Sequence, residues 1–133
     1  MATRMTMAKV LLTLAALTLV ATAALHGSGY ASISKLLGES NLPGALGVSM
    51  RALWVDFSVQ LIILAALLGV AVARPTPGAR IVVLVCGLGL AVDTLVLGAI
   101  VGLFVGTVAL ALASLLTLTG WAMYRGVAGN AGT

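Results

Sequence analysis

The sequence predicts an all-α, polytopic membrane protein in which four transmembrane helices form a bundle within a single domain, 1–133. Of its 133 residues, 62% are hydrophobic and only 8% are charged. An average soluble domain is about half apolar and about a quarter charged, and so small a soluble protein could not bury this much apolar surface. The apolar residues also occur in long runs, which are separated by segments that contain the prolines and half of the charged residues.

The first two apolar runs predict the first two spans, at about 8–26 and 52–73. Each approaches or exceeds the roughly 20 mostly apolar residues that a transmembrane helix needs. The second run follows Arg51 and ends at residues 74–78, Arg-Pro-Thr-Pro-Gly. Prolines and a glycine at this point indicate that the helix stops and the chain turns.

The first run also has features of a cleavable secretory signal. Arg4 and Lys9 precede an apolar core, and residues 21–23, Ala-Thr-Ala, match an A-x-A cleavage site. The apolar stretch continues through Leu25, however, and further spans follow. These features favour a first helix that is retained, and the other helices have the same orientation in either case.

The long run from Ile81 to Tyr124 predicts two spans rather than one. A single helix of this length would extend about 66 Å, twice the hydrocarbon thickness of a bilayer. We therefore expect a turn at 101–103, where Gly102 supplies backbone freedom, between spans at 81–100 and 104–124. The alternative is that the glycines around Gly102 form a GxxxGxxxG packing motif in one continuous helix.

The segment 27–50 is the predicted outer loop, the only sizeable polar segment of the chain. Tyr30, Ile33 and Leu37 recur at helical spacing within it. This pattern predicts a short helix lying in the membrane interface.

The basic residues predict the orientation. They stand singly at the edges of the apolar runs, whereas a nucleic-acid partner requires a dense phosphate-binding surface. By the positive-inside rule both termini are cytoplasmic, in a multi-pass protein of the cell membrane. Trp121 and Tyr124 would then lie in the inner aromatic belt and Trp54 in the outer one. The basic residues of the inner side are Arg4, Lys9, Arg74, Arg80 and Arg125, and those of the outer side are Lys35 and Arg51.

Asp93 is the strongest functional candidate, because an ionisable side chain within a bilayer is costly and needs a reason. By the helical rise it lies roughly 18 Å into the third span, past the membrane midplane. It could be a proton site, a substrate counter-ion or a contact between subunits. The alternative is a structural aspartate whose hydrogen bond ties two helices together.

Three further polar residues are candidates for a ligand or proton site in the same outer half. Asp56 lies about one turn inside the second span, and Gln60 follows one turn later on the same face. His26 ends the first span. If His26, Asp56 and Asp93 converged, they would form a proton-handling or small-ligand pocket. The alternatives are that Asp56 reaches headgroups or Arg51, and that His26 is simply interfacial.

Small residues recur at three- and four-residue steps on the last two spans, and this spacing predicts close helix–helix packing, within the bundle or between copies. No metal site and no cofactor are expected, because one His, one Cys and three acidic residues offer no pair at ligand spacing. The predicted packing residues are Gly87, Ala91 and Gly98 on the third span and Gly106, Ala109, Ala113 and Gly120 on the fourth.

Two resemblances bear on the fold. Four short spans are typical of small multidrug resistance transporters, but those carry an essential glutamate in the first helix, and 10–25 contains no acidic residue. The first half of the chain resembles small uncharacterised bacterial four-helix membrane proteins. The matching residues are His26, Gly38-Glu39 and the run Arg51-Ala52-Leu53-Trp54. This resemblance implies the four-helix fold and a bacterial inner membrane, and it implies no named activity.

The sequence leaves three hypotheses for function. The first is a structural or accessory subunit that forms a homo-oligomer or belongs to a membrane complex. Its partners would be the lipid bilayer and those other subunits. The second is a proton-coupled transporter or small-ligand-binding protein that uses Asp93, assisted by Asp56, Gln60 and His26. The third is an intramembrane enzyme acting on a lipid or quinone, with His26 and Asp56 as acid–base groups.

Overall fold

The computed structural model describes residues 2–128 and confirms an all-α four-helix bundle. Four helical segments are long and apolar enough to cross a membrane, the first of them comprising α1 and α2 together. The chain is therefore a multi-pass membrane protein. The helices are α1 (Ala2–Ser28), α2 (Tyr30–Gly38), α3 (Gly44–Ala73), α4 (Pro77–Ile100) and α5 (Val105–Ala128).

The long helices pack as an antiparallel ring in the order α1, α3, α4, α5. Helix α1 packs closely against both α3 and α5, and α4 packs closely against α5, whereas α3 and α4 touch least among these neighbours. We call the end that carries the 74–76 connection the proximal end, and the end that carries α2 and Gly102 the distal end. The ring is therefore tight on three sides and loose between α3 and α4.

On α1 and α3 the core consists of leucine and alanine side chains at steps of three and four residues, and α4 and α5 add Val83, Cys86, Leu90, Leu110, Ala113 and Tyr124. This is the spacing at which nearly antiparallel helices interdigitate. The remaining surface is largely Leu, Val and Ile, as expected for contact with lipid. Cys86 is a buried free cysteine within this core. The fully buried large side chains are Leu12, Leu19, Leu61, Leu68, Leu90, Leu110, Val83, Thr107 and Thr117.

The predicted outer loop is mostly helical. Its short helix exists as α2, but α3 begins at Gly44, well before the predicted start of the span at 52, and only 39–43 lie between the two helices. Pro43 is the N-cap residue of α3, with φ −52° and ψ 135°. Residues 44–51 contain no proline, so nothing local prevents the helix from continuing beyond its most apolar part.

The predicted turn at Gly102 is confirmed. Helix α4 ends at Ile100, α5 begins at Val105, and Gly102 has φ +91°. Because the turn separates Gly98 from Gly106, these glycines do not form one continuous packing face. The amide of Gly102 also bonds the carbonyl of Leu97 (3.2 Å), which closes the end of α4.

Replacing Gly102 with alanine is expected to lower the free energy of unfolding by about 1–2 kcal/mol, because a Cβ disfavours a positive φ. Unfolding by dodecyl sulfate in mixed micelles measures this change. Gly38→Ala is the matched control, since Gly38 has a negative φ and open space around it. Equal stability of the two variants would contradict the expectation.

Small residues on α4 and α5 face other helices of the same bundle. A Cβ on Gly87 would lie 2.7 Å from Leu118 Cδ2, and the Ser114 hydroxyl donates a hydrogen bond to the Gly87 carbonyl (3.0 Å). A Cβ on Gly120 would lie 2.9 Å from Leu12 Cδ2 on α1. These two glycines therefore allow close α4–α5 and α5–α1 packing.

The other predicted packing residues differ in their surroundings. Ala113 is fully buried, and Ala91 and Ala109 are half-buried. A Cβ on Gly98 would make an ordinary contact with Thr107 on α5, at 3.7 Å. A Cβ on Gly106 would lie 2.5 Å from the ring of Phe104. This glycine therefore leaves space for a side chain of the preceding turn and not for a neighbouring helix.

Tyr124 is buried rather than exposed in the predicted aromatic belt. Only 4% of its surface is exposed, and its hydroxyl donates a hydrogen bond to the Ala71 carbonyl (2.7 Å). The last carbonyls of a helix lack partners within the helix, and this bond supplies one for α3 from the diagonal helix α5. Nearby, the guanidinium of Arg80 lies 5.4 Å from the ring centre of Trp121.

Candidate functional site

His26 forms the centre of an aromatic and polar cluster at the distal end. Its ring stacks on Trp54 with centroids 4.0 Å apart, and Phe57 meets it edge-on at 5.0 Å. Its Nδ1 atom lies 2.9 Å from Ser58 Oγ. Trp54, Phe57 and Ser58 lie within two turns of α3, on the side that faces α1. The cluster therefore holds the imidazole in one orientation.

The backbone around His26 takes part in the same cluster. Trp54 Nε1 donates a hydrogen bond to the His26 carbonyl (2.9 Å), which also accepts one from the Gly29 amide (3.1 Å). A Cβ on Gly29 would lie 3.1 Å from the Trp54 ring. A side chain that captures a helix carbonyl interrupts the regular backbone bonding of the helix. The indole thus marks the boundary between α1 and α2.

A cavity of about 290 Å³ lies beside this cluster, between the distal parts of the helices. Its wall is almost entirely apolar, and three aromatic side chains contribute to it. The hydroxyl of Thr22 donates to the Thr18 carbonyl (2.7 Å), so it is already engaged. The lining residues are Thr22, Leu25, His26, Trp54, Phe57, Leu97, Phe104, Val105, Gly106 and Leu110.

A second feature is the crevice between α3 and α4, which holds about 610 Å³. Gln60 lines it from α3, and Asp93 and Gly89 line it from α4. By the helical rise, Gln60 lies roughly 20 Å from the proximal end of α3 and Asp93 roughly 24 Å from that of α4. The structure therefore brings these two predicted site residues to similar depth in one crevice.

Neither Gln60 nor Asp93 has a polar partner in the part of the chain that the structure describes. Gln60 is exposed and Asp93 half-buried. Within residues 2–128, no hydrogen bond or ion pair involves the Gln60 amide or the Asp93 carboxyl. The remainder of the crevice wall is formed by Leu64, Leu67, Ile81, Val82, Val85, Cys86 and Val92.

Asp56 lies on a third surface. It is exposed and lines an open groove together with Tyr30 of α2 and Arg51 of α3. Asp56 forms no ion pair with Arg51: in the described part of the chain, the one salt bridge joins Lys35 and Glu39, at 4.0 Å. The side chain is thus placed at the surface of the distal end rather than in a cavity.

The structure does not bring His26, Asp56 and Asp93 together. His26 lines the distal cavity, Asp93 the α3–α4 crevice and Asp56 the groove beside α2. On α3, Asp56 is two residues from both Trp54 and Ser58, which positions it away from the His26 face. An acid–base pair of His26 and Asp56 is therefore not assembled. Among residues 2–128, no three His, Cys, Asp or Glu side chains are grouped as a metal site would require.

Comparison with known proteins adds no family assignment. No protein-family model, curated protein or solved structure matches the chain.

Part of the cluster around His26 carried a signal in the sequence. Ser58 follows Trp54 by four residues, so the two share a helix face. Phe104 gave no such signal, because it lies in the turn after Gly102 and reaches the cavity only through the fold of that turn.

Proposed function

We propose that the protein is a small self-associating membrane subunit, and that a second copy of the chain covers the α3–α4 crevice. The observation that carries this proposal is the unsatisfied pair of polar side chains, Gln60 and Asp93, in a crevice at membrane depth. Polar groups exposed to lipid are costly. Hydrogen bonds between neighbouring helices remove that cost and hold membrane helices together.

The two side chains are complementary to each other across a two-fold axis. The Gln60 amide has two N–H donors, and the Asp93 carboxyl has acceptor oxygens. A two-fold contact presents the same surface from both copies, so Gln60 of each copy would face Asp93 of the other. Two equivalent hydrogen bonds would then form. Gly89, in the same wall, leaves open space for close approach of a neighbouring helix.

The charge distribution supports an orientation with both termini in the cytoplasm. Lys35, Glu39 and Arg51 belong to the distal end. Most basic residues belong to the proximal end, and a cytoplasmic excess of such residues sets orientation. In this orientation the distal cavity faces the outer side. The basic residues of the proximal end are Arg4, Lys9, Arg74, Arg80 and Arg125.

The test is the oligomeric state of Gln60→Leu and Asp93→Leu variants in lipid nanodiscs, measured by native mass spectrometry. We expect the wild type to be dimeric and each variant to dimerise roughly 30-fold or more weakly, because each substitution removes both symmetric hydrogen bonds and an interhelical hydrogen bond in a membrane contributes about 1–2 kcal/mol. Both substitutions remove polar groups from a lipid-facing crevice, so the monomer is expected to fold normally.

A cross-linking control locates the contact. In a Cys86→Ala background, Val85→Cys is placed on the crevice wall and Val108→Cys on the exposed face of α5. A short thiol cross-linker is expected to join two copies through position 85 and not through position 108. A monomeric wild type would refute the proposal, and a hetero-complex without self-association would identify a different partner for the crevice.

The alternative function, a proton-coupled or ligand-binding role of Asp93, makes a different prediction for Asp93→Asn. In that case the variant would keep the oligomeric state of the wild type but lose proton-dependent flux in proteoliposomes. If the crevice instead serves self-association, proteoliposomes that contain the wild type and those that contain Asp93→Asn would show the same proton flux.

A further inference from the structure

We propose that the distal cavity is a binding site for a lipid-soluble aromatic ring that carries a hydroxyl group, such as a phenol or the ring of a hydroquinone. The site is separate from the α3–α4 crevice and independent of self-association. Three features carry the proposal: the volume and wall of the cavity, the free nitrogen of His26, and the apolar rim.

The size and wall of the cavity suit a small ring. An apolar cavity of about 150 Å³ is large enough to take up benzene, and this cavity, at about 290 Å³, is close to the lower size of natural ligand sites. Trp54, Phe57 and Phe104 contribute ring surfaces, which favour offset or edge-on contact with another aromatic ring. A single substituted ring therefore fits.

His26 supplies the polar recognition group. Its Nδ1 lies 2.9 Å from Ser58 Oγ, and the Ser58 hydroxyl is 3.4 Å from the Trp54 carbonyl. The tautomer with a proton on Nδ1 satisfies both of these hydrogen bonds. In it, Nδ1–H donates to Ser58 Oγ, and the Ser58 hydroxyl donates to the Trp54 carbonyl. In this tautomer Nε2 is a hydrogen-bond acceptor, and no residue in the described part of the chain occupies it. A ligand hydroxyl is the complementary donor.

The rim of the cavity indicates a ligand that arrives through the lipid. Leu25, Phe104 and Val105 line the cavity and are also exposed, by 57%, 42% and 67%. Leu25 lies near the end of α1 and Val105 begins α5, two helices that pack side by side. An opening with apolar edges at this position favours lipid-soluble molecules over water-soluble ones.

The test uses 4-fluorophenol as the probe, with binding followed by fluorine NMR of the purified protein in detergent micelles. We expect saturable binding with a stoichiometry of one per chain. Because 4-fluoroanisole has the same ring but no hydroxyl proton, it is expected to bind about tenfold more weakly. His26→Phe keeps a ring against Trp54 and is expected to reduce the affinity for 4-fluorophenol to that for 4-fluoroanisole.

A matched pair of α5 variants controls for partition into micelles. Val105→Phe fills the cavity and is expected to abolish saturable binding, whereas Val108→Phe, at a similarly exposed position outside the cavity, leaves it unchanged. Binding that does not saturate, or that is equal in these two variants, would overturn the proposal. An affinity that His26→Phe does not change would overturn the role of the imidazole and, with it, the hydroxyl-bearing ligand class.

Discussion

Trp54→Ala is expected to destabilise the bundle more than any other substitution at the distal end, by about 3 kcal/mol. The indole stacks on His26, bonds the His26 carbonyl and contacts Gly29, so its removal breaks the link between α3 and the α1–α2 boundary. The indole ring is only half-buried. The expected loss of stability is therefore at the lower end of the range of about 3–5 kcal/mol for truncation of a buried tryptophan to alanine. Unfolding by dodecyl sulfate in mixed micelles measures the change.

Leu53→Ala is the control for this substitution. Leu53 is the neighbouring residue on α3 and is 66% exposed, so it faces lipid rather than the cluster. We expect its removal to change stability by no more than about 0.5 kcal/mol. If the two variants unfolded at the same detergent fraction, the His26–Trp54 cluster would not be what joins α1 to α3.

A comparably large effect is expected for Gly87→Val, about 3 kcal/mol, because the added side chain overfills the α4–α5 contact. Even a single Cβ would lie 2.9 Å from Leu118 Cγ and 3.3 Å from Thr117 Cγ2, so both neighbours must move. Movement of α5 also lengthens the hydrogen bond from Ser114 to the Gly87 carbonyl. The same unfolding measurement applies.

Gly69→Val is the matched control on α3, where a Cβ meets no atom within 4 Å. It is expected to leave stability nearly unchanged, since the added side chain enters lipid. A loss of stability at Gly69 equal to that at Gly87 would show that helix propensity, rather than packing, governs both positions.

The candidate sites were predictable only in part. The costs of burying Asp93 and Gln60 in a bilayer are properties of single side chains, so the sequence alone is enough to single these residues out. Their common crevice depends on how α3 and α4 are rotated. The same applies to His26, whose stacking on Trp54 joins residues distant in the chain.

Membrane helices carry little sequence information about their rotation. Soluble helices are polar on one side, and this periodicity indicates which side faces the core. Here both the lipid-facing and the core-facing sides are apolar, as the exposed Leu95 and the buried Leu90 illustrate on α4. The hypothesis that His26, Asp56 and Asp93 converge rested on depth alone, and the rotation of the helices placed them on three surfaces.

The sequence by itself therefore determined the membrane-spanning class, the number of long helices and two of the positions where the chain reverses, 74–78 and Gly102. These follow from local properties: the apolar length that a bilayer requires, the proline-containing stop at 74–78 and the backbone freedom of Gly102. The tertiary structure alone decided the ring order of the helices, the distal cavity around His26 and the crevice shared by Gln60 and Asp93. Those depend on close contacts between small residues such as Gly87 and Gly120 and the side chains opposite them, which no single segment of the chain specifies.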